Sequence, residues 1–253
     1  MKTLFLLLQL TAFAAFSQKG DTIAVGPETL RLNNINYGNH WYAIYFKKTK
    51  MAPANQMMLA KINVERKIQN EKSVIVVTQQ WDRDTVIHSA VTRFDPKTFS
   101  TLTHDTYWKR RDYTGKFDFV NKQASIEGKI ADSLKTKAIS DFNDSFARYN
   151  LNWHSDLVIF PLLPFKENRV FKINFYDPGS SKSKDVYYKV EGSEQLLSAN
   201  GKTDCWVLVI RHDKPASSQK FWISKKSNEI LKEEDEFGGQ YRYKLKLAVA
   251  ENN

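Results

Sequence analysis

A single cysteine, Cys205, stands in the 253 residues of this chain. One thiol cannot close an intrachain disulfide, and it excludes a zinc–thiolate cluster or an iron–sulfur centre built within one chain. An exported domain can do without disulfides when its core is large enough. Long apolar runs are also scarce. Beyond the first sixteen residues no stretch of about 18 apolar residues occurs, so no transmembrane segment is expected in the rest of the chain. Catalytic signatures are missing as well: there is no G-x-S-x-G elbow, Walker loop, G-x-G-x-x-G or H-E-x-x-H. The histidines (His40, His88, His104, His154 and His212) are dispersed, without an i, i+4 pair. His88 and His104 fall on candidate neighbouring strands, where a two-histidine site is geometrically allowed, yet hydrogen-bonded or surface histidines are the plainer expectation. No catalytic residue, cofactor or metal ligand is assigned, and an enzyme is not expected.

What is present begins with an address. Met1–Lys2 give a short cationic start, Leu4 to Phe16 an apolar run, and Ala15-Phe16-Ser17 small residues at the minus three and minus one positions. That is the layout of a secretory signal peptide, residues 1–17, cut before Gln18. Roughly 236 residues remain, read as one exported β-rich domain, 18–253. With no cysteine behind the cut, the mature chain is expected to be soluble in the periplasm or outside the cell and not lipid-anchored. Hydrophobic residues at 42% and aromatics at 13% supply a sizeable core and argue against global disorder.

The formal net charge is +10. A basic exported protein suits an anionic envelope surface or a protein partner there; nucleic acid is not expected. In Tyr107-Trp108-Lys109-Arg110-Arg111, the cations Lys109, Arg110 and Arg111 are surface anion-binding candidates. The densest carboxylate group, Glu233-Glu234-Asp235-Glu236, would place Glu233 and Asp235 on one strand face and Glu234 and Glu236 on the other. It lacks the spaced loop of a calcium site, and a solvated edge strand, charged against unwanted pairing, is the expectation.

Period-two patterns dominate. Phe171, Ile173 and Phe175 oppose Lys172 and Asn174, while Tyr241, Tyr243, Leu245 and Leu247 oppose Arg242, Lys244 and Lys246. Each strand should bury its apolar face and wet the other. Trp41–Phe46, Val74–Val77 and Cys205–Ile210 are apolar on both faces and should lie centrally or under cover. Asn200-Gly201 and Gly238-Gly239 read as hairpin turns, Asp95-Pro96 and Asp177-Pro178-Gly179 as tight reversals. Between Asp132 and Tyr149, Leu134, Ala138, Phe142 and Phe146 recur every fourth position, with Ile139 and Tyr149 flanking, as in an amphipathic helix. Trp153 to Phe165 follows, strongly apolar and interrupted by Pro161 and Pro164, as a short buried helix ending near the first proline would be. The fold class expected is mainly β: a curved antiparallel sheet, open or partly closed as a barrel, packed on one or two short helices. Arg93–Thr98 and Trp222–Ser227 echo each other as strand–turn–strand units, read as shared meander geometry rather than duplication.

Phe160-Pro161-Leu162-Leu163-Pro164-Phe165, Tyr188–Glu194, Cys205-Trp206-Val207 and the segment from Phe221-Trp222-Ile223 to Lys232 follow in an order that resembles bacterial exported proteins of the domain of unknown function 3108 family. Arg93–Thr98 fits the same pattern, and the similarity spans roughly 60–247. The resemblance implies a distant relation to the outer-membrane lipoprotein-sorting superfamily, whose curved sheets hold an apolar cavity for acyl chains; it carries no catalytic residue. The expected function is a non-enzymatic exported binding protein with a lipid or apolar small molecule as ligand. The alternatives are an envelope structural or interaction domain and an unrecognised hydrolase. Candidate cavity residues are Trp41, Tyr45, Trp153 and Phe160, then Leu163, Phe165, Trp206 and Trp222.

Overall fold

Alternation of β-branched and aromatic residues with polar ones, broken at turn residues, yields fifteen strands and two short α-helices among the described residues. The computed structural model describes residues 21–198, 201–213 and 216–248. The cationic start, apolar run and cleavage point of the signal segment, and Asn200, lie outside them. A first run comprises β1 (Thr22–Ala24), β2 (Gly38–Lys47), β3 (Gln56–Gln69), β4 (Lys72–Asp82), β5 (Val86–Phe94), β6 (Thr101–Trp108), β7 (Tyr113–Asp118) and β8 (Gln123–Gly128). Helix α1 (Asp132–Asp144), the short β9 (Leu151–Asn152) and helix α2 (Asp156–Ile159) intervene. A second run follows: β10 (Val170–Asp177), β11 (Ser181–Ser198), β12 (Gly201–Asp213), β13 (Ala216–Ser224), β14 (Ile230–Phe237) and β15 (Gln240–Leu247).

All strands belong to one sheet, ordered β1-β10-β11-β12-β13-β14-β15-β2-β3-β4-β5-β6-β7-β8, with β9 also on β10. Pairing is antiparallel except where β1 and β9 meet β10. The expected fold class is thus the one observed, a mainly β chain with a curved, unclosed sheet on short helices. Its two ends approach without hydrogen-bonding into a barrel. Phe117 of β7, Phe142 of α1 and Tyr176 of β10 form one buried aromatic cluster across the gap. Gly179, in the β10–β11 turn at φ +78°, sits so close to Tyr113 of β7 that an added Cβ would lie 1.9 Å from the phenol oxygen.

The echo between the halves runs deeper than the sequence reading allowed. Asp95 N–H donates to Ser100 O and Phe99 N–H to Asp95 O; Ser224 N–H donates to Glu229 O and Asn228 N–H to Ser224 O, a constant offset of 129 (224 minus 95, 228 minus 99). Phe99 and Asn228 are both left-handed, at φ 56° and 52°. The register shifts at Arg93/Phe94 and Trp222/Ile223 differ by the same offset. Strands β2 to β7 and β10 to β15 are therefore two six-stranded meanders joined where β15 pairs with β2.

The concave face is filled by the segment expected to plug it. α2 gives way to a 3-10 turn over Phe160–Leu162 that holds Pro161, and Leu157 to Leu163 are all buried. Phe160 packs on Phe221 and Tyr188 at ring distances of 4.7 and 4.8 Å; fully burying such a side chain contributes about 1.5–3 kcal/mol. Three expectations need correction. Helix α1 is shorter than the pattern suggested, and Leu134 and Ile139 are exposed, because only Ala138 and Phe142 meet the sheet. In β15 Tyr243 is buried as expected, but so is Lys244, while Leu247 is exposed, because β2 opposite turns Tyr42 and Ile44 inward on the same face as Lys246 and Lys244. The carboxylate-rich β14 is no solvated edge either; β13 and β15 flank it.

Candidate functional site

The Gly238-Gly239 turn, with both φ values positive (59° and 78°), sets the register of the last hairpin. That register puts Glu233 opposite Lys244 and Asp235 opposite Arg242. Alternation along each strand sends all four side chains to the concave face. Lys244 Nζ lies 2.7 Å from Glu233 Oε2. Arg242 donates from Nη2 to Glu233 Oε1 at 3.1 Å and from Nε to Asp235 Oδ2 at 2.5 Å. Glu233 has no exposed surface and Asp235 only 4%.

Burial and the neighbouring Glu233 charge push Asp235 up to about 7, against the pull of Arg242 and Lys244. Burial works against ionised Glu233 too, but Lys244 and Arg242 outweigh it and hold that carboxyl below its ordinary value. Apolar residues of similar volume would hold a sheet together as well or better than such a cluster. Buried charges with displaced proton affinities beside an opening make this cluster a candidate functional site.

The facing wall comes from the plug and from the first meander. Asn152 Oδ1 accepts from His154 N–H at 3.0 Å and starts the turn that carries Trp153 and His154. His154 Nε2 meets Asp177 at 3.0 Å. Gln79 of β4 donates to the His154 carbonyl at 3.2 Å and accepts from the Trp81 indole at 3.2 Å. His88 of β5 stacks on Trp108 at 3.7 Å. Its Nδ1 lies 2.9 Å from the Tyr107 carbonyl, an acceptor only, so that nitrogen carries the proton. Burial and the nearby His154 push His88 down to about 3. His88 is therefore neutral, with a bare Nε2 that has no partner among the described residues. His104, hydrogen-bonded to Thr92 at 2.8 Å, is held well below its usual value by burial and its two histidine neighbours. His88 and His104 do lie on neighbouring strands, but the register sets them apart, His104 opposite Thr92; His154 from the plug lies near both, at 5.4 and 4.8 Å between ring centres. Among the described residues no three of His, Cys, Asp and Glu converge to hold a metal ion.

Between these walls lies a cavity of about 190 Å³. A second opening of about 290 Å³, lined also by His212, Asp235 and Phe237, shares Trp153 and Arg242 with it.

The eight residues expected around an apolar cavity do not line one opening, although Trp153, Phe160, Leu163, Phe165 and Trp206 share one core cluster. Only Trp153 lines this mouth. Phe160 and Leu163 are packed in the core, with Phe165 and Trp206 stacked at its border, 6.1 Å between rings. Trp41 and Tyr45 lie on the opposite face, one under the Lys61 ammonium and the other stacked on Tyr243. Trp222 joins Cys205, Val207 and Val209 in a separate buried cluster, between the ammonium groups of Lys220 and Lys232. Lys109 and Arg110 are exposed in a 3-10 turn after β6, where Lys109 donates to Thr85 Oγ1 at 2.6 Å. Arg111 belongs to the same turn, its side chain outside the described residues. The sequence reading missed the ion cluster, though the hairpin held a signal: counting outward from Gly238-Gly239 pairs each acid with a base on one face.

These features define a class, a mainly β chain whose curved sheet wraps its own buried segment and leaves a charged, indole-lined mouth. The chain belongs to the family described as "Protein of unknown function (DUF3108)", which it matches over residues 42–246. No curated protein matches it significantly. Among solved structures it is similar to the hypothetical lipoprotein YmcC of Escherichia coli, at 11% identity and a TM-score of 0.35, covering 85% of this chain and 89% of that one. A beta-barrel-like DUF1849 protein from Brucella abortus is similar at 8% identity and a TM-score of 0.36, covering 83% and 97%. A Vibrio parahaemolyticus domain described as a candidate outer membrane lipoprotein-sorting protein is similar at 13% and 0.27, covering 85% and 86%. No helix among the described residues is long and apolar enough to cross a membrane.

Proposed function

We propose that the chain is a non-enzymatic, exported binding protein whose ligand seats at the mouth of the concave face. Its polar end meets the charged wall of the mouth, where Asp156 and Asp177 stand beside Arg242 and Lys244 of the β14–β15 ion cluster, and its apolar body lies against Trp81, Trp108 and Trp153. The observation that carries this reading is the set of buried Glu233, Asp235 and Lys244 with half-buried Arg242, at an opening walled by indoles. An amphipathic, lipid-like ligand suits that division, since aromatic rings take an apolar body while polar groups fix its head. Entry at the mouth also suits a concave face whose depth is occupied by the chain's own Leu157 to Leu163. Native mass spectrometry of the protein, purified without detergent from its own envelope fraction, tests the reading. A discrete extra mass, released on denaturation and lost in Trp153→Ala, is expected. A bare polypeptide mass that persists after incubation with envelope lipids overturns it.

One observation favours a second reading, hydrolysis: the His154–Asp177 pair lines the same cavity as the Asp156 carboxyl, a combination suited to acid–base work. Nitrophenol release from nitrophenyl esters or glycosides by the wild type, abolished in His154→Ala, would favour turnover over carriage.

A further inference from the structure

We infer that this mouth selects a protonated amine, its ammonium seated on Asp156, Asp177 and the bare Nε2 of His88, with the indoles around its carbon body. The inference rests on the mouth being the ligand site and names the chemistry of the group that enters.

The argument is one of supply and demand among polar groups. Arg242 and Lys244, the two fixed cations lining the cavity, are already turned to Glu233 and Asp235. Asp177 has His154. Asp156, 7% exposed and lining the cavity, has no ion-pair partner among the described residues; its Oδ1 accepts only the N–H of Leu157, at 2.7 Å. His88 is fully buried, its Nδ1–H is committed to the Tyr107 carbonyl, and no donor among the described residues reaches Nε2. The unmet demand in the wall is therefore for hydrogen-bond donors. The cavity's own carboxyls are Asp156 and Asp177, and its two fixed cations are taken up by Glu233 and Asp235, so a phosphate or carboxylate head would find no free cation to pair with. An ammonium brings three N–H donors and one positive charge. The rings already keep such company: Lys244 Nζ lies 5.8 Å from the centre of Trp81, and Lys184 Nζ 5.4 Å from that of Trp153. The volume of about 190 Å³ equals on the order of six waters, enough for an alkyl or ring amine.

Proton competition follows from the same geometry. Asp156 on α2 faces Lys244 and Arg242 from β15, Glu233 from β14, and Asp177 and His154 across the cavity. Burial raises Asp156, Lys244 opposes that, and Glu233 reinforces it. A proton on Asp156 must leave before an ammonium can pair with it, so amine affinity should rise with pH.

Three probes with one carbon chain and different heads decide the matter: hexylamine, 1-hexanol and hexyl phosphate, titrated calorimetrically into the full chain between pH 5 and 8. Hexylamine should bind at least about tenfold tighter than hexanol, hexyl phosphate should not compete, and amine affinity should climb with pH. Asp156→Asn should weaken the amine about tenfold to hundredfold while the melting temperature holds or rises, because an unpaired buried carboxyl has been removed. Hexanol or hexyl phosphate binding as tightly as the amine, or an Asp156→Asn protein that still prefers the amine, overturns the inference. If all three bind alike and Trp153→Ala weakens all three, amine selectivity fails and the mouth remains the ligand site. If Trp153→Ala changes none of them, both readings fail.

Discussion

Replacing Asp235 by an asparagine removes one titrating proton from the core while keeping shape and hydrogen-bonding capacity. Asp235 is 4% exposed, and burial beside Glu233 raises it from the ordinary 3.8 to about 7. Between those limits the folded chain keeps a proton that the unfolded chain has released. Stability from this group is thus full below about pH 4 and declines as pH rises toward 7. The interval is about three pH units, and at 1.36 kcal/mol per unit the linkage amounts to about 4 kcal/mol, shared in part with Glu233. The substituted amide has no proton to lose, so the Asp235→Asn variant should match the wild type near pH 4 and exceed it increasingly up to about pH 7.5. Urea unfolding at several pH values across that interval reads the difference directly. Parallel profiles for the two proteins would refute the raised proton affinity of Asp235.

Arg242→Met leaves Glu233 and Asp235 buried with Lys244 as their one remaining cation, and should cost about 3–5 kcal/mol in the same urea assay. Substituting all four members of the cluster with apolar residues of similar size should recover that loss while abolishing ligand uptake. Gly179→Ala puts a methyl group against the Tyr113 phenol at a left-handed backbone position, and should destabilise the chain by about 1–3 kcal/mol. Its melting temperature should be partly restored by Tyr113→Phe, which removes the nearest atom.

Much of the fold was legible because local chemistry decided it. Phe171, Ile173 and Phe175 are buried together as their spacing predicted (Asn174, on the face expected to be wet, is covered too), Asp95-Pro96 turns, and Pro161 ends α2 within two residues of where the apolar run predicted. What alternation cannot say is which face looks inward. Tyr241, Tyr243, Leu245 and Leu247 form the more apolar side of β15, yet the acids of β14 draw Arg242 and Lys244 into the concave face with them. A pairwise charge match between strands overrode the hydrophobic pattern of one strand. The candidate site was less legible for a related reason. His88 and His104 were placed on adjacent strands, but His154 reaches them from a turn distant in sequence. The indoles around the mouth come from β4, β6 and the plug, which only the curvature of the sheet brings together.

The seam between the two meanders governs the order in which the sheet can be assembled. Within each meander every neighbour is the next strand in the chain, so pairing is local and quick to form. At the seam, Trp41 waits for Leu247, and Lys246 reaches His40 across 206 positions. Until β15 is in place, the ten-residue β2 presents a bare row of backbone donors and acceptors, the kind of edge that recruits other chains. Loss of the final eight-residue strand would therefore open the sheet in its middle rather than at its end, and turn an interior joint into a docking edge for a second copy.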